Sequence, residues 1–395
     1  MRIIIKILFT LYCLATLSFF QPFNILSPQL VKALTYIILA LLLAFTILFT
    51  KNNHSGRFRK PLTYLLILFG LSCFIPTICN FGQSITDSIL ITIPYFSYAL
   101  YFTLSRNCID KKFLYRLVFT ISILTILTHI LNLITFPIII FGTPESEYDL
   151  ERGGIRIVMD GIMFVILSFF ISIEKWSRTK KYKWLIFAII CYTSVFLSYT
   201  RQYILVCTVL GIIMMTHKLN IIKRILIIGI CAVTIMMVAP RIPTVNKLLE
   251  ITIKQQEQAE MYDREDIRIT AARFYGYENF PYTINRFFGN GVPTAHSAWG
   301  RDFLLYTESE HLFAADVGIF GFNWQFGLLS VLCLLSIFFK AIISKKQTDN
   351  IGRYYCLALF ICSFASGSLL YPFGIIVTTI ALYLIDISQN KPNVQ

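Results

Sequence analysis

The sequence predicts an all-α integral membrane protein with about twelve transmembrane helices and one long, partly helical extracytoplasmic loop. The first observation is composition: of 395 residues, 56% are hydrophobic and only 14% are charged. Soluble domains are typically about half apolar and about a quarter charged, so a single water-soluble core is excluded. The second observation is the spacing of apolar runs along the chain. The third is the alternation of basic residues between successive connections.

Twelve apolar runs come close to the length that crosses a bilayer, for which a helix needs about 20 residues. They occupy residues 3–20, 30–50, 62–80, 84–104, 113–135, 155–173, 183–199, 202–216, 222–239, 318–339, 354–370 and 373–387. The first run is too long for a signal peptide and no A-x-A site follows it, so we interpret it as an uncleaved helix. Ser84 and Asp87, three residues apart, predict the N-terminal cap of the fourth helix.

The distribution of basic residues predicts the orientation in the membrane. The formal net charge is +14, yet 23 of the 35 Lys and Arg residues fall near the termini and in alternate connections. Cytoplasmic loops carry such an excess, so both termini are predicted to be cytoplasmic. The intervening loops are uncharged, as in NFGQ, or mainly acidic, as in TPESEYDLERGG. This alternation argues against a nucleic-acid-binding patch.

Neither a metal site nor a cofactor-binding motif is readable in the sequence. The ten cysteines lie in apolar runs or, as with Cys108, in a cytoplasmic loop, so no disulfide framework or C-x-x-C site is predicted. We find no P-loop, G-x-G-x-x-G, H-E-x-x-H or G-x-S-x-G pattern in a suitable context. The sequence therefore predicts no metal ligand and no cofactor.

These features predict three parts: helices 1–9 in residues 1–239, a long extracytoplasmic loop in residues 240–317, and helices 10–12 in residues 318–395. A connection that long is usually functional or disordered, and the aromatic residues throughout it predict a folded segment. It carries eight basic and ten acidic residues between positions 241 and 311. The loop is therefore not a polycationic patch, and each arginine needs its own argument.

The long loop is predicted to contain two helical stretches around a turn. Its first half is helical because Ile267, Ala271 and Phe274 fall on one helix face. The middle is turn-rich, and Gly289 and Gly291 permit positive φ angles there. The stretch LYTESEHLFAADVG is predicted as a second helix that leads into the tenth membrane helix.

Arg201 is the first candidate for substrate binding. It lies in SYTRQ, in a very short turn at the outer boundary, where positive charge is normally sparse. A planar, permanently charged guanidinium suits a phosphate or pyrophosphate. The alternative is an arginine that only sets the topology, with its charge at the head-group level. The sequence supports these two interpretations equally.

Arg152 and Arg156 are further candidates at the outer entrance to the sixth run, in ERGGIRIVMDG. Gly153 and Gly154 give the backbone freedom beside the charge. Arg156 and Asp160 are four residues apart on one helix face, so we interpret them as a pair that neutralises itself in the membrane. Both arginines are retained as residues that assist substrate binding.

Arg273, Glu310 and His311 are the candidates within the long loop. Fifteen residues separate Arg273 from Gly289 in ARFYGYENFPYTINRFFGNG, a spacing that means little by itself. Glu310 and His311 open EHLFAADVGIFGF, and an imidazole there can accept a proton from a sugar hydroxyl. The alternative for His311 is an interfacial histidine satisfied by water.

Together these stretches resemble the superfamily of Wzy-type O-antigen polymerases and O-antigen ligases. RGGIRIVMDGIMF is similar to the family's arginine-and-glycine entry to a mid-chain helix, and LSYTRQYIL to its Ser-x-x-Arg-type turn. ARFYGYENFPYTINRFFGNG and SEHLFAADVGIFGF are similar to its loop arginine with G-x-G and to its histidine before a glycine-punctuated helix. Ligases usually carry His-Asn, whereas Leu312 follows His311 here, which favours the polymerase.

The resemblance implies a GT-C-like membrane glycosyltransferase that works without a metal. It would polymerise oligosaccharide repeat units carried on undecaprenyl diphosphate, at the extracytoplasmic face of the bacterial inner membrane. The implied partners are the lipid-linked glycan, the bilayer and a chain-length regulator. Arg201 and Arg273 would stabilise the diphosphate leaving group, with the arginines of the sixth run assisting. His311 or Glu310 would be the catalytic base.

Three other functions remain open from the sequence. A ligase would transfer finished glycan to a lipid A core or another acceptor. A transporter or flippase suits twelve spans, although the halves show no similarity and Asp160 and His129 are the only candidates for a proton relay. A scaffolding component would tolerate replacement of the outer arginines.

Overall fold

The structure is a computed structural model that describes residues 2–17, 27–49, 56–136, 138–141, 157, 159–216, 266–343 and 350–389, with a few positions between 219 and 229. Within these residues the chain is helical and contains no strand. Five helical stretches are long and apolar enough to cross a membrane, namely Gln29–Phe49, Arg59–Ile78, Ile85–Arg106, Lys111–Thr135 and Ile319–Ile342. The described residues therefore confirm the predicted all-α class and support a helical membrane protein.

The helices of the described residues follow the apolar runs closely. The α-helices are α1 (Arg2–Thr16), α2 (Pro28–Phe49), α3 (Arg59–Ser72), α4 (Ile75–Ile78), α5 (Ile85–Thr92), α6 (Leu100–Arg106), α7 (Lys111–Thr135), α8 (Ile162–Thr179), α9 (Tyr182–Leu197), α10 (Arg201–Thr216), α11 (Ile267–Arg273), α12 (Thr283–Phe288), α13 (Ala298–Ser309), α14 (Ile319–Ile342), α15 (Ile351–Cys362) and α16 (Pro372–Gln389). Short 3-10 helices span Ile93–Ala99, Ala314–Val317 and Gly367–Leu369, and a π-helical turn spans Phe274–Glu278.

Two helices depart from the predicted runs for local reasons. The run 354–370 gives a helix only as far as Cys362, because the carbonyl of Ser363 accepts a hydrogen bond from the Ile319 N–H at 2.7 Å. The run 155–173 gives a helix only from Ile162. Gly161 precedes it and packs so closely on α7 that a side chain there would strike the Thr125 hydroxyl. Most of the run 222–239 lies outside the described residues.

The chain divides into two compact units, residues 1–117 with 267–395 and residues 118–266. In the second unit α8 packs along α9, and 14 of the 18 residues of α8 are buried. The hydroxyls of Ser122 and Ser168 join α7 to α8 at 2.6 Å. The second unit is thus a bundle of hydrophobic helices with a buried polar contact in its interior.

The first unit is built around α14, which packs on α3. Phe69 of α3 is fully buried and contacts five aromatic rings: Tyr95, Phe96, Tyr98, Phe322 and Phe326. Such a cluster fixes the spacing of the membrane helices through the preferred tilted and edge-on ring geometries.

The described part of the long loop is folded onto the end of α14, but its second helix differs from the prediction. α13 begins at Ala298, where Ser297 caps it by accepting the Gly300 N–H at 3.0 Å. It ends at Ser309, before the predicted LYTESEHLFAADVG helix is half complete. The predicted apolar face of the first stretch is only partly correct, because Ala271 is buried whereas Ile267 is 49% exposed.

Candidate functional site

Helix α14 is interrupted at Gly327, where φ is 79° and ψ is 169°. An interruption leaves the preceding carbonyls without helical partners, and buried carbonyls need replacements. The Asn290 N–H donates to the Trp324 carbonyl at 2.8 Å, and the Gly291 N–H donates to the Gln325 carbonyl at 3.1 Å. We call residues 289–291 the glycine strap, since they complete the broken helix.

The two glycines of the strap are required by its backbone geometry. Gly289 and Gly291 have φ angles of 82° and 80°, as predicted from the sequence. A Cβ atom on Gly289 would lie 2.2 Å from the Gln325 carbonyl oxygen, and one on Gly291 would lie 2.6 Å from Cγ of Pro76. Only glycine combines a positive φ with this close backbone approach.

Gln83 ties the turn between α4 and α5 to the same segment. Its side chain is 2% exposed and donates to the Val292 carbonyl at 2.9 Å. The side-chain amide oxygen of Gln83 accepts hydrogen bonds from the Thr294 N–H at 3.2 Å and from the Ser297 hydroxyl at 3.1 Å. A buried amide that satisfies several groups on another segment holds that segment in one position.

Helix α14 also receives polar contacts from two other membrane helices at this level. The Ser72 hydroxyl donates to the Gln325 carbonyl at 2.8 Å, and the Tyr95 hydroxyl donates to the Gln325 side-chain oxygen at 3.0 Å. The glycine strap, the end of α3 and the 3-10 stretch around Tyr95 therefore converge on one buried glutamine, Gln325. The sequence interpretation missed Gln83 and Gln325, although Gln325 is a polar residue two positions before Gly327 within an apolar run, which is a detectable signal.

Arg273 is the last residue of α11 and stands directly before the π-helical turn. Such turns occur often at functional sites. Its Nε lies 3.8 Å from Oε1 of Glu278, and both side chains are partly exposed. Arg273 and Glu278 align because π-helical spacing places residues five apart on the same side of the helix. The same spacing is seen in the backbone, where the Asn279 N–H donates to the Phe274 carbonyl at 3.0 Å. The sequence interpretation did not select Glu278.

Glu310 and His311 form the turn that follows α13, and both are exposed. His311 has a φ angle of 54°, a left-handed conformation that costs a non-glycine residue about 1–2 kcal/mol. Its N–H donates to the Glu308 carbonyl at 3.2 Å. A strained, exposed histidine beside a carboxylate is available to a ligand on the surface of the first unit.

Tyr275 connects the Arg273 turn with the Glu310–His311 turn. It is buried, and its hydroxyl donates to the Leu312 carbonyl at 2.7 Å. Burial raises the pKa of its hydroxyl above the usual range, so it remains a neutral donor. The structure thus brings Arg273, Glu310 and His311 onto one folded segment, around the hydrophobic cluster that contains Tyr275.

The remaining candidates are Arg201, Arg152 and Arg156. Arg201 begins α10, after a short turn in which Tyr199 has a φ angle of 52°, and its side chain is exposed. It belongs to the second unit. Arg152 and Arg156 lie outside the described residues, and so does the predicted pairing of Arg156 with Asp160.

The described residues contain no cluster of three or more His, Cys, Asp or Glu side chains that would hold a metal ion. No protein-family model matches the sequence, and no curated protein matches it. Function is therefore inferred from the chain's own residues and geometry.

Proposed function

We propose that the protein polymerises oligosaccharide repeat units linked to undecaprenyl diphosphate, at the extracytoplasmic face of the bacterial inner membrane. The product would be an O-antigen or capsular-type polysaccharide. We call residues 266–318 the outer segment. The observation that carries this proposal is that Arg273 and His311 are the chain neighbours of Phe274 and Leu312, which belong to one hydrophobic cluster that includes Trp324 of α14. Glu310 precedes His311 in the same turn. The proposal includes twelve spans with cytoplasmic termini, which would place this segment outside.

The reaction needs a nucleophile, a leaving group and no metal. A hydroxyl oxygen of the acceptor sugar forms a bond to the anomeric carbon of the donor, and the bond from that carbon to the diphosphate breaks. The hydroxyl proton passes to the base, and undecaprenyl diphosphate leaves with the electron pair. Fixed cations stabilise the charge that develops on the diphosphate.

Arg273 supplies a cation of this kind in the first unit. A guanidinium has two donor edges, and the contact of Nε with Glu278 at 3.8 Å orients one of them. Arg201 is the corresponding candidate in the second unit, and the arginines of the sixth run assist. Each of these assignments is tested separately.

His311 or Glu310 accepts the proton from the acceptor hydroxyl. Both are exposed on the same turn, where a sugar can reach them. A positioned general base typically raises the rate of such a step by about 10²–10⁴-fold. The left-handed backbone at His311 is a strained conformation of the kind that clusters at functional sites.

The test is glycan profiling of a deletion strain by gel, complemented with single variants. The deletion strain is expected to show single repeat units only, and Arg273→Ala and Arg201→Ala to lower polymer formation by about a hundredfold. Arg286→Ala is the matched control, since Arg286 is also an exposed arginine of the outer segment. Immunoblotting of membranes verifies insertion. Full-length polymer from inserted Arg273→Ala and Arg201→Ala proteins would refute the assignments.

The same gel separates the polymerase from the ligase. Loss of a ligase leaves long polymer on the carrier lipid, whereas loss of a polymerase leaves single repeats. If the deletion strain accumulated long carrier-linked polymer, the ligase function would replace the proposal.

A transporter or flippase is the second candidate, favoured by one specific observation. The break at Gly327 lies beside the 3-10 stretch Ile93–Ala99, where the rings of Tyr95 and Phe326 are 4.6 Å apart. Discontinuous membrane helices often form the substrate site of transporters. Uptake of radiolabelled substrate that is lost in the deletion strain, with polymer unchanged, would favour this function.

A further inference from the structure

The turn between α8 and α9 carries a dense group of lysine side chains. α8 ends at Thr179 and α9 begins at Tyr182, so only Lys180 and Lys181 connect the two helices. Lys180 has a φ angle of 54°, a left-handed conformation that lets the chain reverse within two residues. Lys183 follows in the first turn of α9. We call Lys180, Lys181 and Lys183, which are all exposed, the lysine turn.

The lysine turn has no acidic partner of its own. Glu174 is the only acidic residue between positions 170 and 190. It is buried, and its Oε1 accepts a hydrogen bond from Nε of Arg178 at 2.7 Å. The ion pairs seen among the described residues do not include any member of the lysine turn. Within the described part of the chain these positive charges lack a counter-charge, which an anion from outside the chain can supply.

Aromatic rings position the ammonium groups at this end of the two helices. Nζ of Lys180 lies 4.8 Å from the ring centroid of Trp176, and Nζ of Lys183 lies 5.3 Å from that of Trp184. Nζ of Lys175 lies 4.0 Å from the same Trp184 ring. Each of these contacts is a cation–π interaction. One indole ring thus collects two ammonium groups, which concentrates positive charge where α9 begins.

The lysine turn is continuous with an apolar stripe on α9. Four large exposed side chains form this stripe on one face of the helix: Tyr182, Ile186, Ile189 and Ile190. The opposite face, which contains Ala188 and Cys191, is buried. An exposed aliphatic face of this kind marks a surface that contacts a membrane or another apolar partner. The lysine turn therefore stands at the end of a surface that suits hydrocarbon chains.

The two surfaces together select the class of ligand. A free phosphate or a nucleotide would use the lysines and leave the apolar stripe uncovered. An apolar protein helix would cover the stripe and leave the lysines without a counter-charge. A phospholipid with a negative head group matches both surfaces, because its charge lies at one end of its hydrocarbon chains. Tryptophan rings such as Trp176 and Trp184 are typical of the level of the head groups.

We infer that the lysine turn and the apolar stripe of α9 form a binding site for an anionic phospholipid. The ammonium groups contact the phosphate of the head group, and the stripe lies along the acyl chains. This site goes beyond the proposed function, because it depends on the position of α9 in a membrane and not on glycosyl transfer. No covalent bond forms or breaks when the lipid binds.

Native mass spectrometry of the full-length protein, released from detergent micelles, measures this binding. The probes are dioleoyl phosphatidylglycerol and dioleoyl phosphatidylcholine, which share their acyl chains and differ in net charge. The parent protein should bind phosphatidylglycerol more tightly by about tenfold or more. Lys180→Gln should raise the dissociation constant for phosphatidylglycerol about fivefold, and the triple variant K180Q/K181Q/K183Q should remove the preference.

A charge-matched variant controls for the loss of positive charge in general. R59Q/K60Q/K112Q removes three exposed basic residues from other connections, and it should keep the preference of the parent protein. The single variant Lys180→Gln retains most of the basic charge, so it keeps the test available if the triple variant fails to insert. Ile186→Ser should weaken the binding of both lipids equally, because the stripe contacts acyl chains.

The outcomes separate this site from its alternatives and from the proposed function. Equal binding of the two lipids by the parent protein, or an equal loss in the charge-matched variant, would overturn the site. Inorganic phosphate that bound as tightly as phosphatidylglycerol would assign the lysines to a soluble anion and overturn the lipid. Since no reaction is measured, a deletion strain that still made polymer would refute the polymerase and leave a confirmed lipid site standing.

Discussion

Gly289 and Gly327 lie backbone against backbone, so that a Cβ atom on Gly327 would stand 2.5 Å from the Gly289 nitrogen and 2.2 Å from the Phe287 carbonyl oxygen. Both residues have positive φ angles. The interruption of α14 and the glycine strap that fills it are therefore one feature built from two distant parts of the chain.

Replacement of Gly327 by alanine should destabilise the protein strongly. The φ of 79° and ψ of 169° at Gly327 lie in a region that essentially only glycine adopts, so an alanine there costs about 1–3 kcal/mol. Forcing a methyl group into a filled space typically adds about 1–3 kcal/mol. The measurement is the thermal unfolding midpoint of the detergent-solubilised protein. Gly82→Ala is the matched control, since Gly82 has a φ angle of 75° with open space around its Cβ position.

The control separates backbone strain from crowding. Gly82→Ala should show only the strain, and Gly70→Ala should be neutral or stabilising, because Gly70 is helical and has open space. If Gly327→Ala and Gly82→Ala lowered the unfolding midpoint equally, crowding between the strap and α14 would add nothing to the cost of the substitution.

Replacement of Gln83 by alanine should loosen residues 292–297 locally. The Val292 carbonyl, Thr294 N–H and Ser297 hydroxyl each lose a partner, and a buried unsatisfied group costs about 1–3 kcal/mol. Amide hydrogen exchange should accelerate at residues 292–297 and remain unchanged in α7. Thr86→Ala, an exposed substitution in the neighbouring helix, is the control. Unchanged exchange at residues 292–297 would contradict the role of Gln83.

Two substitutions at His311 should separate its backbone strain from its chemical role. His311→Gly removes the cost of the left-handed conformation, so it should unfold at a higher temperature than His311→Gln. Both variants lack the imidazole and should lose polymer formation equally if His311 is the base. Activity that persisted in both variants would transfer the role of base to Glu310.

The ion pair between Lys6 and Asp110 should make stability depend on pH. Hydrogen bonds from Lys6 and from the Phe113 N–H lower the pKa of Asp110 below its usual value. A carboxyl whose pKa is lower in the folded state stabilises it above the unfolded pKa of about 3.9, and this contribution disappears as pH falls through the folded pKa. The pair is partly exposed, so its contribution should be less than about 1 kcal/mol.

The measurement is the unfolding midpoint of the parent protein and of Asp110→Asn between pH 7 and pH 3. The variant should be slightly less stable at pH 7, and the difference should shrink as pH falls below the unfolded pKa of about 3.9. Lys6→Met should reproduce this profile, whereas Lys112→Met should follow the parent. A difference that stayed constant with pH would rule out the charge of Asp110 as its cause.

Much of the helical fold follows from local sequence. Apolar runs of membrane length predict helices because the hydrogen bonds of a helix lie within its own segment. The capping of the fourth helix is confirmed, with Ser84 accepting the Asp87 N–H at 3.0 Å. The positive φ angles of Gly289 and Gly291 are also confirmed. Each of these features depends only on residues that are near each other in the chain.

The interruption at Gly327 could not be predicted in this way, because its replacement hydrogen bonds come from Asn290 and Gly291 in another segment. The same reason explains why LYTESEHLFAADVG was wrongly predicted to be one helix. The chain must turn at His311 so that the Leu312 carbonyl can accept the Tyr275 hydroxyl. Hydrogen bonds between different segments determine both the interruption at Gly327 and the turn at His311. No local sequence pattern predicts such bonds.

The glycine strap also has a consequence for the order in which the protein is assembled. The strap and the carbonyls that it serves, those of Trp324 and Gln325, are both made late in synthesis, so they can pair once α14 has left the ribosome. The ribosome makes Ser72, Gln83 and Tyr95 much earlier. Their hydrogen-bond partners, on Gln325 and Val292, are in place only after that pairing. Contacts between distant segments form slowly, so the early helices must wait in the membrane with these polar groups unmatched. We expect chaperones and membrane proteases to recognise the protein mainly during that interval.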